Sequence, residues 1–269
     1  LPDGRSAIRK QVRESEEVVP NKLREEIEYE QRLRAAGLPF PEIYAMEMQG
    51  DRLVIVMEDL EGQGWVPATS LLYWNAEQDG ELVIPSSTIW DLAMHVYREL
   101  IPPFYAQRVN ETPADFVQRY HLDKIAGRLA QASRQAPVLA PMFEAPTIRV
   151  MDRDGRARLL PGFATLRPFL EAVAATGLLS PPYLSRDHGD LNYGDILIDP
   201  MEYARDGRFR QFMMTDPKWF PEGNDYLYDF AKLLHDFFGL YDVGRLDEVY
   251  GYRAEPAGSA SDGVPTFRE

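Results

Sequence analysis

The hydrophobic pattern of the first sixty residues predicts a strand, a helix and then a hairpin of two strands. Residues 6–12, SAIRKQV, are consistent with a short strand, and residues 21–37 repeat apolar positions at helical spacing before a closing glycine. The apolar runs on either side of Gly50 and Asp51 indicate a hairpin. Its second strand, residues 52–58, is apolar on both faces, which predicts a central position in the sheet.

Beyond residue 62 the pattern becomes mainly helical, with a few short apolar runs between polar turns. One helix is predicted to end before Pro102 and Pro103, and Pro168 is predicted to start or bend another helix. The predicted helices are residues 87–100, 113–133, 164–177 and 225–239. The predicted strands lie in a hairpin at 147–160, turning at Asp154 and Gly155, and in segments 195–199 and 210–216, with a polar loop between these two segments.

Composition and charge narrow the classes of function. The chain has 269 residues, enough for one large domain or two lobes, and no apolar run long enough to span a membrane. Its net charge of -14 argues against a nucleic acid partner and suits a cationic substrate or a divalent cation, although the acids could serve solubility alone. The absence of cysteine excludes disulfides and thiol catalysis and fits the reducing cytoplasm, where we expect the protein.

The stretch DHGDLNYGDILIDP, residues 187–200, combines a histidine and several acids with an apolar run behind them. Asp190 and Asp195 lie in its polar part, and the two strands that follow lead to Asp216. Because a short hairpin brings its ends together, the three carboxylates are expected to converge. Close carboxylates repel each other unless a cation neutralises them, and Mg²⁺ is commonly held by carboxylates and substrate phosphates. The alternative is that these acids are ordinary turn residues at strand ends.

The segment HGDLNYGDILID followed by MMTDPKW resembles the aminoglycoside phosphotransferase and choline kinase family, whose members are relatives of the protein kinases. The resemblance covers the chain roughly from Ala7 to Phe238. It implies an α+β, bilobal fold with a small β-rich N-lobe and a larger, mainly helical C-lobe. It also implies transfer of the γ-phosphate of ATP or GTP, with Mg²⁺, to a hydroxyl of a small molecule such as an amino sugar, sugar or amino alcohol.

The resemblance implies a role for each polar residue of this region. Asp190 is the catalytic-loop acid that orients the acceptor hydroxyl and takes its proton. Asp216 is the metal-binding acid, and Asp195 stands at the position of an Asn that holds a second Mg²⁺. His188 is expected to pin the loop, and Asp229 is expected to buttress it.

The same resemblance implies nucleotide-binding groups in the N-lobe. Lys10 is expected to grip the α- and β-phosphates, and Glu26 is expected to pair with Lys10. Glu30, one helical turn further on, is the alternative partner. The backbone from Glu58 to Leu60 is expected to hydrogen-bond the base. The simpler interpretation is that Lys10 is a solvated strand residue and Glu26 an exposed helix acid.

Three departures from the family pattern leave alternatives open. Asp195 replaces Asn, few residues and no glycine-rich loop precede the lysine strand, and little follows the helix at 225–239. The predicted organisation is an N-lobe at 1–60, a C-lobe at 61–250, and a loose tail or linker at 251–269. The N-lobe is short at its start, either because the chain is trimmed or because another segment covers the phosphates. The alternatives are a nucleotide-binding pseudokinase that acts through protein partners and a kinase-like enzyme that transfers AMP. No oligomeric state is predicted.

Overall fold

The computed structural model describes residues 6–13, 20–50, 52–70, 86–135, 140–151, 155–239, 255–259 and 265–268. Helices alternate with short strands along these ranges, so the predicted mixture of α and β structure is confirmed, whereas the bilobal arrangement and the lobe boundaries stay predictions. The chain forms two compact units. Unit 1 comprises Leu1–Asn110 and Leu184–Arg245, and unit 2 comprises Glu111–Tyr183 and Leu246–Glu269.

The elements of the described ranges are labelled here in chain order. The helices are α1 (Pro20–Ala35), α2 (Ser86–Tyr105), α3 (Asp123–Gln135), α4 (Ala140–Glu144), α5 (Phe163–Ala174), α6 (Pro200–Asp206) and α7 (Tyr228–Gly239), with a π-helical turn at Val117–Leu122. The strands are β1 (Ala7–Arg13), β2 (Ile43–Gln49), β3 (Arg52–Glu58), β4 (Val66–Pro67), β5 (Arg108–Glu111), β6 (Thr147–Met151), β7 (Ala157–Pro161), β8 (Tyr183–Ser185), β9 (Ile196–Ile198), β10 (Met213–Met214), β11 (Glu255–Ser259) and β12 (Pro265–Arg268). None of the helices in the described ranges is long and apolar enough to cross a membrane.

The first part of unit 1 is an antiparallel sheet in the order β1-β3-β2, with α1 packed against it. Strand β3 is central, as its apolar character predicted. Leu53 and Ile55 of this strand form a buried cluster with Ile27 of α1. Gly50 has a φ of 67° and lies at the predicted hairpin turn, in a backbone conformation that glycine adopts without strain.

A second sheet of unit 1, in the order β10-β9-β4, positions the acids singled out in the sequence. Strands β9 and β10 are antiparallel and pair Ile196 with Met214. The next backbone hydrogen bond joins the N–H of Thr215 to the carbonyl of Asp195 at 3.0 Å. The backbone of Asp195 and that of Asp216 therefore meet at the same end of this sheet, as the predicted hairpin requires.

Helix α2 continues past the point where the sequence predicts its end. It was expected to stop before Pro102 and Pro103, but both prolines lie within its last turns. The backbone N–H of Ala106 donates to the carbonyl of Pro102 at 3.1 Å, which closes the final turn. A proline removes only its own N–H from the helical ladder, so adjacent prolines near the end of a long helix leave the last turn intact.

Helix α6 occupies the segment that the sequence analysis interprets as a polar loop, and that interpretation is wrong. The side chain of Asp199 caps the helix by accepting from the N–H of Met201 at 2.9 Å, and Pro200 takes the first helical position. Gly207, with a φ of 67°, ends the helix in the left-handed conformation. The helix is too short and too polar to show an apolar period, although its caps are readable in the sequence.

Unit 2 contains the remaining helices and a sheet in the order β11-β12-β6-β7. The hairpin predicted at 147–160 is present as antiparallel β6 and β7, while Asp154 of its predicted turn lies outside the described residues. The helix predicted at 113–133 begins as a π-helical turn before α3, and Pro168 lies inside α5. The stretch 251–269, predicted to be a tail or linker, contributes β11 and β12, and β12 pairs with β6 in parallel.

Candidate active site

Helix α7 holds the loop at residues 187–195, which we call the acidic loop, through one buried carboxylate. Oδ2 of Asp229 accepts from the backbone N–H of His188 at 2.6 Å, and Oδ1 accepts from that of Gly189 at 2.9 Å. Burial raises the pKa of Asp229 to about 6, while the hydrogen bonds from the loop act in the opposite direction. Asp229 therefore lies where the sequence analysis expects a buttress.

A second buried carboxylate joins the acidic loop to two further elements. Asp187 accepts at Oδ2 from the amide nitrogen of Asn224 at 2.7 Å, and its backbone carbonyl accepts from the hydroxyl of Tyr29 on α1 at 2.6 Å. Burial, followed by the charge of Asp229, raises the pKa of Asp187. The sequence analysis assigns no role to Asp187, Asn224 or Tyr29. Asp187 borders the HGD motif, but no spacing in the sequence connects the other two with it.

His188 is fully buried and links the acidic loop to the end of β10. Its Nε2 lies 2.9 Å from the backbone carbonyl of Thr215, and its ring stacks on Phe40. Burial lowers the pKa of His188 to about 4, so the ring is neutral near pH 7. Because a carbonyl only accepts, Nε2 carries the proton and donates it. This arrangement matches the structural role expected for His188.

Asp190 and Asp195 each have a donor partner at the acidic loop. Oδ1 of Asp190 lies 2.9 Å from Nζ of Lys232 on α7, and the Asp190 side chain is 41% exposed. Asn192 caps the turn between the two acids, with its Oδ1 accepting from the N–H of Gly194 at 2.8 Å. The Asn192 amide nitrogen donates to the carboxylate of Asp195 and, at 3.1 Å, to the carbonyl of Asp190. Both acids are therefore held in defined directions.

Asp216 lies at the end of β10 in an unusual backbone conformation and in an ion pair. Its φ of 60° is left-handed, which is uncommon for a residue other than glycine and occurs mostly at functional or turn positions. Its Oδ2 lies 2.9 Å from Nζ of Lys218, which is also 3.9 Å from Oε2 of Glu26. Partial burial acts to lower the pKa of Lys218, but the surrounding carboxylates raise it above its usual value. The sequence analysis assigns no role to Lys218.

The described part of the chain contains no group of three or more histidine or acidic side chains arranged to hold a metal ion. Asp190, Asp195 and Asp216 each have an ammonium or amide partner, and their predicted convergence on a metal ion stays a prediction. The backbone of Asp195 is bonded to that of Thr215, the neighbour of Asp216, and Mg²⁺ commonly binds one or two carboxylates and completes its coordination with water and phosphate oxygens. These two residues could hold such an ion together with a phosphate ligand.

A cavity of about 470 Å³ in unit 1 collects several of the predicted residues. Lys10, Glu58, Leu60 and Asp216 line it, together with Glu30, while Glu26, Asp190 and Asp195 are not part of its lining. This size lies within the range of cavities that bind small ligands and cofactors, and a mainly apolar wall with a few charged groups is typical of them. Its apolar lining includes Ile8, Val12, Ile55, Met57 and Leu197.

The two candidate acids of α1 have different surroundings. Glu26 lies 3.9 Å from Nζ of Lys22 and, through its other oxygen, 3.9 Å from Nζ of Lys218. Glu30 is 2% exposed and lines the cavity, and its Oε1 has no hydrogen-bond partner among the described residues. Burial raises the pKa of Glu30 to about 8, while the charge of Lys10 acts to lower it. Glu30 is therefore the acid of α1 that shares the cavity with Lys10.

The chain segment after β3 forms a tight turn beside the cavity. The carbonyl of Leu60 accepts from the backbone N–H groups of Gln63 and Trp65, each at 3.0 Å. The side chain of Asp59 accepts from the N–H of Gly62 at 2.8 Å. These bonds fix the backbone of Leu60 and occupy its carbonyl.

No protein-family model matches this chain, and no curated protein matches it. Among solved structures, the chain is similar to the crystal structure of an aminoglycoside-3'-phosphotransferase of type VIII. The two share 18% sequence identity with a TM-score of 0.42, and the match covers 94% of this chain and 81% of that chain.

Proposed function

We propose that the protein is a phosphotransferase that moves the γ-phosphate of ATP or GTP to a hydroxyl of a small molecule, such as an amino sugar, sugar or amino alcohol. The observation that carries this proposal is the cavity lined by Lys10, Glu30 and Asp216 together with the segment from Glu58 to Leu60. A lysine, a buried acid and an exposed acid around a mainly apolar cavity offer groups for phosphates, for a metal ion and for a base.

The nucleotide would bind with its base beside the turn after β3. Since the carbonyl of Leu60 is already used within the turn, the backbone N–H of Leu60 and the carbonyl of Glu58 are the groups assigned to the base. Lys10 would bind the α- and β-phosphates. Glu30, rather than Glu26, would position Lys10 by accepting a hydrogen bond from it, because Glu30 shares the cavity with Lys10.

Chemistry would take place at the acidic loop. Asp216 and Asp195 would hold Mg²⁺, which neutralises phosphate charge when it is bound. Asp190 would accept a hydrogen bond from the acceptor hydroxyl, direct its oxygen at the γ-phosphorus and take its proton as the new O–P bond forms. The bond between the γ-phosphorus and the bridging oxygen of the β-phosphate breaks, and the nucleoside diphosphate leaves. Lys232 fixes the direction of the Asp190 carboxylate. Catalysis of this kind depends on positioning and on neutralisation of charge.

A second candidate function is a nucleotide-binding protein that transfers nothing and acts through protein partners. Two observations favour it. Asp195 stands where the resembled family has Asn, and the carboxylate of Asp216 is already paired with Lys218. Both features change the charge at the position assigned to the metal ion. The two candidates differ in one measurable property, which is turnover.

The test is nucleotide consumption with Mg²⁺ and a panel of amino sugars, sugars and amino alcohols. The native chain is compared with Asp190→Ala and Asp216→Ala, and with Asp225→Ala as a control from a nearby loop. Turnover that depends on the acceptor, that both site variants abolish and that the control retains would support the phosphotransferase. Binding of Mg²⁺-nucleotide without turnover for any acceptor would support the second candidate instead.

A further inference from the structure

We propose that Lys218 is a built-in counter-ion that competes with a divalent cation for Asp216. We further propose that Glu26 sets the strength of this competition, because it offers Lys218 a second carboxylate. The inference rests on the proposed function in one respect, since it takes Asp216 as a carboxylate that binds the metal ion. It adds a positioning residue, Lys218, and gives a role to Glu26, the acid of α1 that is not part of the cavity lining.

The backbone of Lys218 is fixed while its side chain lies between carboxylates. Its N–H donates to the carbonyl of His188 in the acidic loop at 2.7 Å. Its Nζ lies 2.9 Å from Oδ2 of Asp216 and 3.9 Å from Oε2 of Glu26, and the charge of Asp190 acts on it as well. The side chain is 30% exposed, so its ion pairs are less screened than those of a fully solvated lysine.

The residue that follows Lys218 is also held in place, which limits how the lysine can move. The ring of Trp219 packs against Tyr29 with a centroid distance of 4.8 Å. The guanidinium carbon of Arg32 lies 4.8 Å from the centre of this ring, and that of Arg186 lies 4.4 Å from it. These contacts fix the segment between β10 and α7. Only the flexible stem of Lys218 is then available for its ammonium to shift from one carboxylate to the other.

An ammonium group and a divalent cation repel each other and cannot share the same carboxylate oxygen of Asp216 at full strength. A metal ion that binds Asp216 would therefore displace Lys218, and Glu26 is the acceptor already within 3.9 Å. This displacement would strengthen the pair between Lys218 and α1. The affinity for the metal ion would then depend on two side chains that do not coordinate it.

The test is Mn²⁺ binding to the full chain in the presence of ADP, which supplies the phosphate ligands, measured by calorimetry and by the electron paramagnetic resonance signal of free Mn²⁺, with ADP alone as the baseline. Lys218→Met is expected to bind Mn²⁺ at least about tenfold more tightly than the native chain. A cation beside a carboxylate weakens its binding of a proton by one to three powers of ten, and it opposes a divalent cation in the same way. Lys218→Gln is a second neutral variant and is expected to behave in the same way. Lys218→Arg is expected to retain the native affinity or to bind more weakly.

Lys22→Met is the matched control. Lys22 is also a lysine whose Nζ lies 3.9 Å from Glu26, but it is 71% exposed and contacts the other carboxylate oxygen. Its removal is expected to leave the affinity for Mn²⁺ within about twofold of native, as for an exposed ion pair. Glu26→Gln is expected to weaken binding in the native background, because Lys218 then has only Asp216. The same change is expected to have no effect in the Lys218→Met background.

Asp216→Asn separates failure of this inference from failure of the proposed function. One outcome is that Asp216→Asn abolishes Mn²⁺ binding while neither neutral Lys218 variant binds Mn²⁺ more tightly than the native chain. This outcome refutes the competition and leaves the metal role of Asp216 standing. If Asp216→Asn binds Mn²⁺ like the native chain, or no variant binds it, the metal role is refuted and the inference falls with it. Thermal unfolding of each variant verifies that it is folded.

Discussion

The carboxylate of Asp229 accepts a 2.6 Å hydrogen bond from the backbone N–H of His188. This bond crosses 41 positions of the chain and joins the start of α7 to the acidic loop. The same carboxylate accepts from the N–H of Gly189, so one buried side chain satisfies consecutive donors of the loop. The orientation of the Asp190 side chain therefore depends on Asp229, which would touch neither nucleotide nor acceptor.

Removal of the Asp229 carboxylate is expected to destabilise the protein and to abolish turnover. Asp229→Ala leaves at least the buried N–H groups of His188 and Gly189 without an acceptor, and each such loss costs about 1–3 kcal/mol, so we expect a loss of about 2–6 kcal/mol. Urea unfolding measures it. Asp225→Ala removes a single bond to the N–H of Leu227 at a less buried site, so it is expected to cost under about 1 kcal/mol. Equal losses for the two variants would contradict the assigned role.

Gly189 is predicted to be irreplaceable for steric reasons, beyond its positive φ. A Cβ atom at this position would lie 2.6 Å from Cε2 of Phe220 and 3.0 Å from the carbonyl oxygen of Lys218. The φ of Gly37 is 88°, close to the 84° of Gly189, but a Cβ atom at Gly37 would meet nothing within 4 Å. Gly189→Ala should therefore cost about 1–3 kcal/mol more than Gly37→Ala, and only Gly189→Ala should impair turnover. Equal costs in urea unfolding would refute the steric argument.

The buried carboxyl of Glu30 is expected to make stability depend on pH. Between the pKa of 4.5 for the unfolded chain and about 8 for the folded one, the folded protein keeps the proton that the unfolded chain loses. The contribution of Glu30 to the free energy of unfolding is full below 4.5 and is lost as pH rises through about 8. Glu30→Gln should therefore gain stability relative to the native chain across this window.

The measurement is urea unfolding of both proteins at several pH values between 5 and about 9. Glu28→Gln is the matched control, since Glu28 lies on the same helix but is exposed and paired with Arg24. This control should give a curve parallel to that of the native chain. A parallel curve for Glu30→Gln as well would show that Glu30 does not hold its proton in the folded state.

Lys10 and Arg9 allow a matched test of the cavity as a nucleotide site. Adjacent residues of a strand point to opposite faces, and Lys10 lines the cavity whereas Arg9 does not. Lys10→Met should weaken binding of Mg²⁺-ATP by about tenfold to a hundredfold, the effect of losing one charge-assisted hydrogen bond. Arg9→Met removes the same charge and should leave the affinity near native. A similar loss for both would indicate only a general effect of charge.

The elements around the candidate site were predictable because their local signals are strong. Strand β3 is apolar on both faces and proved central, and the hairpin of β9 and β10 was readable from two apolar runs separated by polar residues. The buttressing role of Asp229 was implied by the family resemblance of the segment that contains it. Helix α6 is too short to show an apolar periodicity, although Asp199, Pro200 and Gly207 carry its cap signals.

The choice of ion-pair partners was not predictable from the sequence. Glu26 and Glu30 lie one turn apart on the same face of α1, so spacing alone cannot decide which one shares the cavity with Lys10. In the folded chain Glu30 lines this cavity and Glu26 does not. Lys218 and Lys232 are distant in the sequence from most of the acids that lie near them in the fold. The net charge of -14 does not indicate that lysines lie beside the acidic loop.

The most direct test of the central claim is detection of the phosphorylated acceptor by ³¹P nuclear magnetic resonance. The native chain is incubated with ATP or GTP, Mg²⁺ and the acceptor that supports the fastest consumption of nucleotide. The account predicts a new phosphate monoester resonance that appears in step with nucleoside diphosphate and is absent with Asp190→Ala. Release of inorganic phosphate alone, or a product that Asp190→Ala forms at the native rate, would contradict transfer to a hydroxyl at this site.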